Sequence, residues 1–599
     1  MAINGDGVIS AEIKQGHVVL IGGTTPCNTP EEVLDSDVFL RVLWRYLRKL
    51  DKYDNPLLVC VKDFQFNKDK NGHIKERYDL EGIRDLIRAI HTYGADQAAQ
   101  QEKYTHALSD RVLFADFVEE FYNFWRRQER FLIYHEEEEL SKSIQERNLD
   151  FVGINKQLKA LVLTVYRSIK ATVAGRAEKV YRQLPAGASA GLLVEQIAWD
   201  IPKKVYEQLA CIPFLQLAVI EPPLVYYPKR NKRTGQFEKL DHNPIVEGMV
   251  KDNNEFYCFP AKVGDLLIFV YFHIDFISLA VSMVNLFDIA SKEEIVGKKP
   301  DCILVFGVEQ EFLGDEQTVY YQDEESNIVV GAIARSQEVD YFGYFKKMVL
   351  TLHNTVMIDR GYMPIHGAMA HIQLRSGKDF SVVLVGDSGA GKSESLEAFR
   401  VLADEYMRRM TIIFDDMGSL RMKNEKVNGY GTEIGAFVRL DDLEPGYAYE
   451  EIDRSIFMSP HRTNARLVVP ITPYSEIVKG YPVDLFLYAN NYETVEDGSD
   501  GYLDFFATPE DAFDVFKKGE RISKGTTDEK GLVGTYFSNP FGAPQKEEQH
   551  DEIARNFIEH MFNSGVKVGQ LRTQLGIEGE EMTGPEKAAK ALFEYVNEK

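Results

Sequence analysis

Cysteine is scarce in this chain: five residues among 599, Cys27, Cys60, Cys211, Cys258 and Cys302, scattered and never spaced C-x-x-C. That pattern suggests neither a disulfide framework nor a zinc site, and it fits a reducing cytoplasm. Positive charge is also in short supply, with 69 Lys and Arg against 93 Asp and Glu and a net charge of −24. Such a chain repels phosphate backbones and anionic surfaces, so we expect no nucleic-acid and no membrane partner, and any anionic substrate must meet a local basic pocket. The opening Met1-Ala2-Ile3-Asn4-Gly5-Asp6 lacks the basic start and apolar core of a signal peptide, and the expected location is cytoplasmic. Long apolar runs are missing as well. The nearest approach, Leu266 to Phe287, is interrupted by His273 and Asp275 and reads as buried strand and helix.

There is enough apolar residue, at 44%, to build cores, and the length predicts roughly two to four domains. From about Leu80 to Gln183 apolar residues recur at helical steps, as in Phe114, Phe117, Val118, Phe121 and Trp125. Within this helical module Glu136 to Glu139 reads as a solvated face. Before it come strand-like pieces, His17 to Ile21 and Leu57 to Val61, and an amphipathic segment around Val38 to Leu50. After about Ala186 short β-rich runs alternate with turns and a few helices. Strands are expected at Phe256 to Phe259, Cys302 to Phe306, Ile328 to Ala332, Ser381 to Val385, Thr411 to Phe414, Leu467 to Pro470 and Leu485 to Tyr488. The mixture predicts α/β or α+β with mixed sheets, without internal repeats. One basic, turn-rich cluster, Pro228 to Gly235, stands out as either an exposed hairpin tip or an anion-binding loop.

The most informative stretch is Ser381-Val382-Val383-Leu384-Val385 running into Gly386-Asp387-Ser388-Gly389-Ala390-Gly391-Lys392-Ser393. A strand that empties into Gly-x-x-x-x-Gly-Lys-Ser and then into a helix is a phosphate cradle. Its glycines let backbone N–H groups surround the phosphates, Lys392 reaches the β/γ oxygens, and the Ser393 hydroxyl is placed to hold a divalent cation. The helix that follows points its positive end at the same anion. A metal-holding carboxylate is needed nearby, and Thr411-Ile412-Ile413-Phe414-Asp415-Asp416 supplies a pair.

With Tyr341, Lys346 and Lys347 upstream, His366 in Pro364-Ile365-His366-Gly367, Glu433 to Gly435, Thr463 to Arg466, and Phe541 to Pro544, the set forms an ordered series. It resembles the ATP-dependent phosphoenolpyruvate carboxykinase family, whose P-loop fold is shared with HPr kinase/phosphorylase. The likeness covers roughly Phe256 to Val568, and the interval of 19 residues from Lys347 to His366 equals the family's. The resemblance implies an α/β (α+β) carboxykinase-like P-loop fold with mixed β-sheets. It further implies a mainly α-helical N-terminal domain (1–190), a substrate-binding domain (191–370) and a nucleotide-binding domain (371–599).

By the same resemblance Lys347, His366 and Asp416 would bind Mn²⁺, and Ser393 the nucleotide's Mg²⁺, with Asp415 beside it. A lysine ligates only when neutral, which burial beside other cations brings about. Lys392 would neutralise the transferring phosphoryl group, Arg466 would clamp γ-phosphate and substrate, and Tyr341 and Lys346 would complete the catalytic set. ATP would lie on Gly386 to Ser393, with Lys530 in the place of a family arginine near the adenine. The implied activity is that of a lyase and kinase: oxaloacetate and ATP give phosphoenolpyruvate, CO₂ and ADP.

Three departures stand against the family pattern. Its Gly-Arg-Ser-Pro substrate stretch is absent, only Lys229 to Arg233 lying in a comparable place. Its lid is replaced by the acidic Asn491 to Gly501. Its P-loop tail reads Gly-Lys-Ser-Glu, closer to HPr kinase. A kinase acting on another small molecule or on a protein serine is therefore an alternative, as is a nucleotide-gated interaction protein. Residues 1–190 are open to a structural role, regulation, self-association or binding of a protein partner.

Overall fold

The computed structural model describes residues 10–14, 17–22, 27–65, 78–135, 144–174, 187–233, 237–250, 255–403, 405–440, 447–496, 501–523 and 531–598. The chain forms two compact units, one of Met1–Gln196 with Leu215–Glu221, the other of Ile197–Phe214 with Pro222–Lys599. Both mix helices with sheets that contain parallel and antiparallel pairs, an α+β architecture.

In the first unit the helical spacing is realised. Helix Asp37–Lys52, capped by the Ser36 hydroxyl, buries Val38, Phe39, Val42, Leu43, Tyr46, Leu47 and Leu50. Helix Arg111–Arg126, capped by Asp110, turns Phe114, Phe117, Val118, Tyr122 and Trp125 inward. The two meet through Phe39 on Phe121 and Tyr46 on Phe117, with ring centroids 5.7 and 5.4 Å apart. This unit also holds a sheet, with strands Ser10–Lys14, His17–Gly22, Glu129–His135, Ala190–Glu195 and Phe214–Ile220 in that order. The apolar centre of Glu129–His135 is short, Phe131 to Ile133, and is flanked by polar residues, so helical spacing on either side hides it. Leu57 to Val61 is not a strand. Pro56 opens a 3₁₀ helix, Pro56–Phe64, and the Asn55 side chain accepts the Leu57 N–H at its start. Glu136 to Glu139 lie outside the described residues.

In the second unit every expected strand falls within a strand. A first sheet includes Phe256–Val263, Leu266–His273, Cys302–Val308, Ile328–Ala334 and Thr318–Asp323 in that order. The apolar stretch from Leu266 divides into the strand Leu266–His273 and a short buried helix, Ile277–Ser282. Among the described residues no helix is long and apolar enough to cross a membrane.

The second sheet runs Tyr481–Pro482, Lys426–Gly431, Met407–Lys423, Met363–Leu374, Asp379–Val385, Leu485–Asn490, Lys567–Arg572, Leu503–Phe505. Strand Asp379–Val385 is buried on both faces, because successive side chains point opposite ways. Val383 and Val385 join the core under helices Pro509–Lys518 and Glu547–Ser564. Val382 and Leu384 join the core under Lys392–Ala403 and Thr583–Glu598. Helix Phe342–Asp359 is buried almost all round. It delivers two lysines to the inside, so each needs a partner.

Candidate functional site

Strand Asp379–Val385 ends at the glycine-rich turn, and the Gly386 N–H donates to the His366 carbonyl of the neighbouring strand at 3.1 Å. Gly389 and Gly391 take positive φ, +79° and +90°, and helix Lys392–Ala403 starts directly after them. Within the turn Lys392 Nζ donates to the Asp387 carbonyl at 3.0 Å, and the Ser393 hydroxyl donates to Asp415 Oδ1 at 2.8 Å. The hydroxyl and carboxylate expected to share a cation are thus adjacent. The Asp387 carboxylate accepts from the Ser388 N–H, from Arg521 Nη2 at 2.9 Å and from the Thr535 hydroxyl at 3.2 Å. Burial would raise its pKa, but His366, Arg521, the Ser388 N–H and Lys392 together hold it below the usual range.

The second focus is Asp416. Sequence reasoning places the acid pair at a strand end, but it lies within the long strand Met407–Lys423, with Asp416 paired to Gly367 and Asp415 to Ala368. Asp416 has φ +152°, a conformation that non-glycine residues rarely adopt. Its Oδ2 faces Lys346 Nζ at 2.6 Å and Lys347 Nζ at 2.8 Å, and its Oδ1 faces His366 Nε2 at 2.8 Å. Lys347, His366 and Asp416, from three separate places in the chain, therefore meet. The His366 Nδ1–H donates to the Ser538 carbonyl, which leaves Nε2 to face the acid. Asp387 Oδ1 is 3.6 Å from His366 Nδ1, so the P-loop and the Asp416 cluster adjoin.

The two lysines differ. Lys346 has no exposure and sits between Asp416 and Glu433 Oε1, 2.9 Å away, both contacts being ion pairs off the hydrogen-bonding directions. Burial alone would lower its pKa, but the two acids drive it above the usual lysine range. Lys347 keeps 18% exposure and lies 4.4 Å from the centre of the Phe541 ring. Burial, aided by the Lys346 charge, pushes its amine below the usual range against the pull of Asp416. Burial raises the Glu433 carboxyl, with Asp416 adding to the rise and Lys346 opposing it. Asp416 itself, despite burial, is held well below the carboxylate range by Lys346, Lys347 and His366.

Arg466 opens strand Arg466–Pro470, with its guanidinium 5.5 Å from the Phe437 ring, against which the Tyr341 ring also packs at 5.9 Å; burial raises the Tyr341 hydroxyl pKa and the Arg466 charge opposes the rise. Lys346 lies over the same ring at 5.9 Å, which joins Tyr341 and Arg466 to the Asp416 cluster. The basic segment before Gly235 is docked through its described part, not a free tip. Asn231 Nδ2 donates to the Thr463 carbonyl at 2.7 Å, Asn464 Nδ2 to the Asn231 carbonyl at 2.5 Å, and Arg462 to the Lys229 carbonyl at 2.9 Å. Arg230 pairs outward with Glu338. Arg233 turns inward, over Phe237 at 5.1 Å and among Tyr341 and Tyr344, and burial lowers its pKa.

Lys530 lies outside the described residues. Arg521, Thr535 and Glu433 carry contacts at the site that no local pattern announces, Glu433 appearing in the sequence only as part of an ordered stretch. Among the described residues no three His, Cys, Asp or Glu side chains converge as metal ligands. A cation at Asp416 would need the Lys347 amine as a third donor beside His366, and the lowered pKa of that amine suits the part. No protein-family model matches the chain, and no curated protein matches it.

Proposed function

We propose that this chain is an ATP-dependent phosphotransferase of the phosphoenolpyruvate carboxykinase type, acting on a small carboxylate such as oxaloacetate. The observation that carries the reading is the meeting of Lys347, His366 and Asp416 on one carboxylate beside a P-loop whose Ser393 already pairs with Asp415. A lysine amine depressed by burial and an acid held at positive φ are features that cluster at functional sites, which supports the reading.

Mn²⁺ held by Lys347, His366 and Asp416, and Mg²⁺ held at Ser393 and Asp415, would supply Lewis-acid stabilisation of oxygen charge. The rest falls to the protein. Lys392 and the turn's N–H groups bind the β- and γ-phosphates, and Arg466, lying over the Phe437 ring, bridges the γ-phosphate and the acceptor. Arg233 offers a partner for the substrate carboxylate in place of the missing Gly-Arg-Ser-Pro stretch. The substrate's bond to its departing carboxylate breaks, CO₂ leaves, and the electron pair becomes an enolate. The enolate oxygen then attacks the γ-phosphorus as the bond to ADP breaks. Lys346, sealed between Asp416 and Glu433, holds the acid in place.

The test is turnover by purified protein with ATP, Mn²⁺, Mg²⁺ and oxaloacetate. ADP and phosphoenolpyruvate should form together and should vanish in Lys392→Ala. The Gly391-Lys392-Ser393-Glu394 tail favours a second reading, a kinase for another acceptor, which ATP turnover with other acceptors alone would establish. ATP binding without turnover on any acceptor would point instead to a nucleotide-gated interaction protein.

A further inference from the structure

A phosphate-binding turn works only if its peptide N–H groups face the anion. In a planar trans peptide the C=O of one residue and the N–H of the next point in opposite directions. Whatever grips the carbonyls from behind therefore aims the N–H groups forward. One buried side chain does so here, and a second braces the peptide before it. The Thr573 hydroxyl, just beyond strand Lys567–Arg572, donates to the Ala390 carbonyl at 2.7 Å. Asn491 Nδ2, just beyond strand Leu485–Asn490, donates to the Gly389 carbonyl at 2.8 Å.

Both gripping residues are themselves fixed. The Thr573 N–H donates to the Asn490 carbonyl at 2.8 Å. Asn491 Nδ2 also donates to the Ile522 carbonyl at 3.0 Å, and its Oδ1 accepts the Ile522 N–H at 2.9 Å. Neither Thr573 nor Asn491 has any exposed surface. The grip also accounts for a motif position, since a Cβ on Gly391 would lie 2.6 Å from Thr573 Cβ and Oγ1. The glycine at 391 is thus demanded by the threonine behind it as well as by its φ of +90°.

We infer that Thr573 is a positioning residue of the nucleotide site, with Asn491 bracing the turn beside it. Thr573 holds the Ala390 carbonyl away from the phosphates, so that the Gly391 N–H is aimed at them before nucleotide arrives, while the Asn491 grip on the Gly389 carbonyl fixes the preceding peptide, whose Ala390 N–H donates to the Asp387 carbonyl at 3.1 Å. This rests on the nucleotide reading of the P-loop. It adds a phosphate-specific role for a residue outside the Gly-x-x-x-x-Gly-Lys-Ser pattern. Without the hydroxyl, the Ala390 carbonyl is either buried without a partner or free to rotate toward the phosphates, where it repels them.

The test is calorimetric titration of the full chain with ATP·Mg²⁺ and, separately, with AMP, for wild type, Thr573→Val and Thr573→Ser. Thr573→Val should weaken ATP about tenfold, the worth of one oriented hydrogen bond, with AMP affinity unchanged, and Thr573→Ser should restore ATP binding. Should the valine variant not fold, Thr573→Ala removes the same hydroxyl without adding bulk. Wild-type ATP affinity in a folded hydroxyl-less variant, or equal losses for ATP and AMP, overturns the inference while leaving the proposed function intact. Failure of the wild-type protein to bind ATP overturns both.

Discussion

Replacing Asp416 by Asn keeps the side chain's shape and removes the charge that Lys346, Lys347 and His366 share. Lys346 decides the size of the effect, because it has no exposed surface and pairs with Asp416 at 2.6 Å and Glu433 at 2.9 Å. Breaking a buried ion pair from one side costs about 3–5 kcal/mol, since the stranded charge cannot return to water. Glu433 remains close, so the lower end, about 3 kcal/mol, is expected. Removing the stranded ammonium with Lys346→Met should relieve most of that loss. In the double variant the two effects should therefore fall short of their sum by about 2 kcal/mol. Urea unfolding at pH 7, followed by circular dichroism across the four proteins, measures all the terms of this cycle. A cost below about 1 kcal/mol for Asp416→Asn, or additivity in the double variant, would refute the idea of a buried charge cluster centred on Asp416.

Three further outcomes are expected. His353 and His550 are buried, and desolvation outweighs their neighbouring acids, Asp265 and Asp551, to bring each pKa down to about 4. The unfolded chain binds these protons below about pH 6.5 and the folded chain does not. Stability is therefore full above that pH and falls as pH drops toward 4, by about 2 kcal/mol per histidine between pH 7 and 5, readable as a melting-temperature slope that His550→Gln flattens. Gly391→Ala forces a Cβ at φ +90° against Thr573 and should abolish ATP binding in calorimetry while the far-UV spectrum stays unchanged. Arg233→Ala should raise KM for the carboxylate substrate at least tenfold with little change in KM for ATP, and an unchanged carboxylate KM would remove Arg233 from substrate binding.

What the sequence discloses here is mainly local. The P-loop is legible because strand, turn and helix are consecutive, and the unbroken apolar run Val382 to Val385 already demands cover on both faces. Lys347, His366 and Asp416 were nameable as a set only through their order along the chain. Their meeting depends on the register that sets Gly367 opposite Asp416 and on the turn of helix Phe342–Asp359 that faces the sheet. The Arg521 contact with Asp387 spans far-apart segments and has no periodic signature, so a buried arginine in a three-residue strand passes unnoticed. Leu57 to Val61 misled because apolar content alone cannot separate strand from 3₁₀ helix, while Asn55 and Pro56 carried the deciding information. The inward turn of Arg233 beside an outward Arg230 is likewise invisible in a run, Lys229 to Arg233, where four of five residues are basic.

The chain enters the first unit, leaves it at Ile197, returns for Leu215–Glu221 and leaves again at Pro222. No single cut can therefore separate the halves cleanly. A fragment ending at Gln196 would strip the neighbour from strand Ala190–Glu195 and bare a buried apolar edge, while the complementary fragment would carry the orphaned Leu-Gln-Leu-Ala-Val-Ile, a segment prone to cross-chain association. Such interleaving makes Leu215–Glu221 a piece that any excision of the amino-terminal unit has to carry with it.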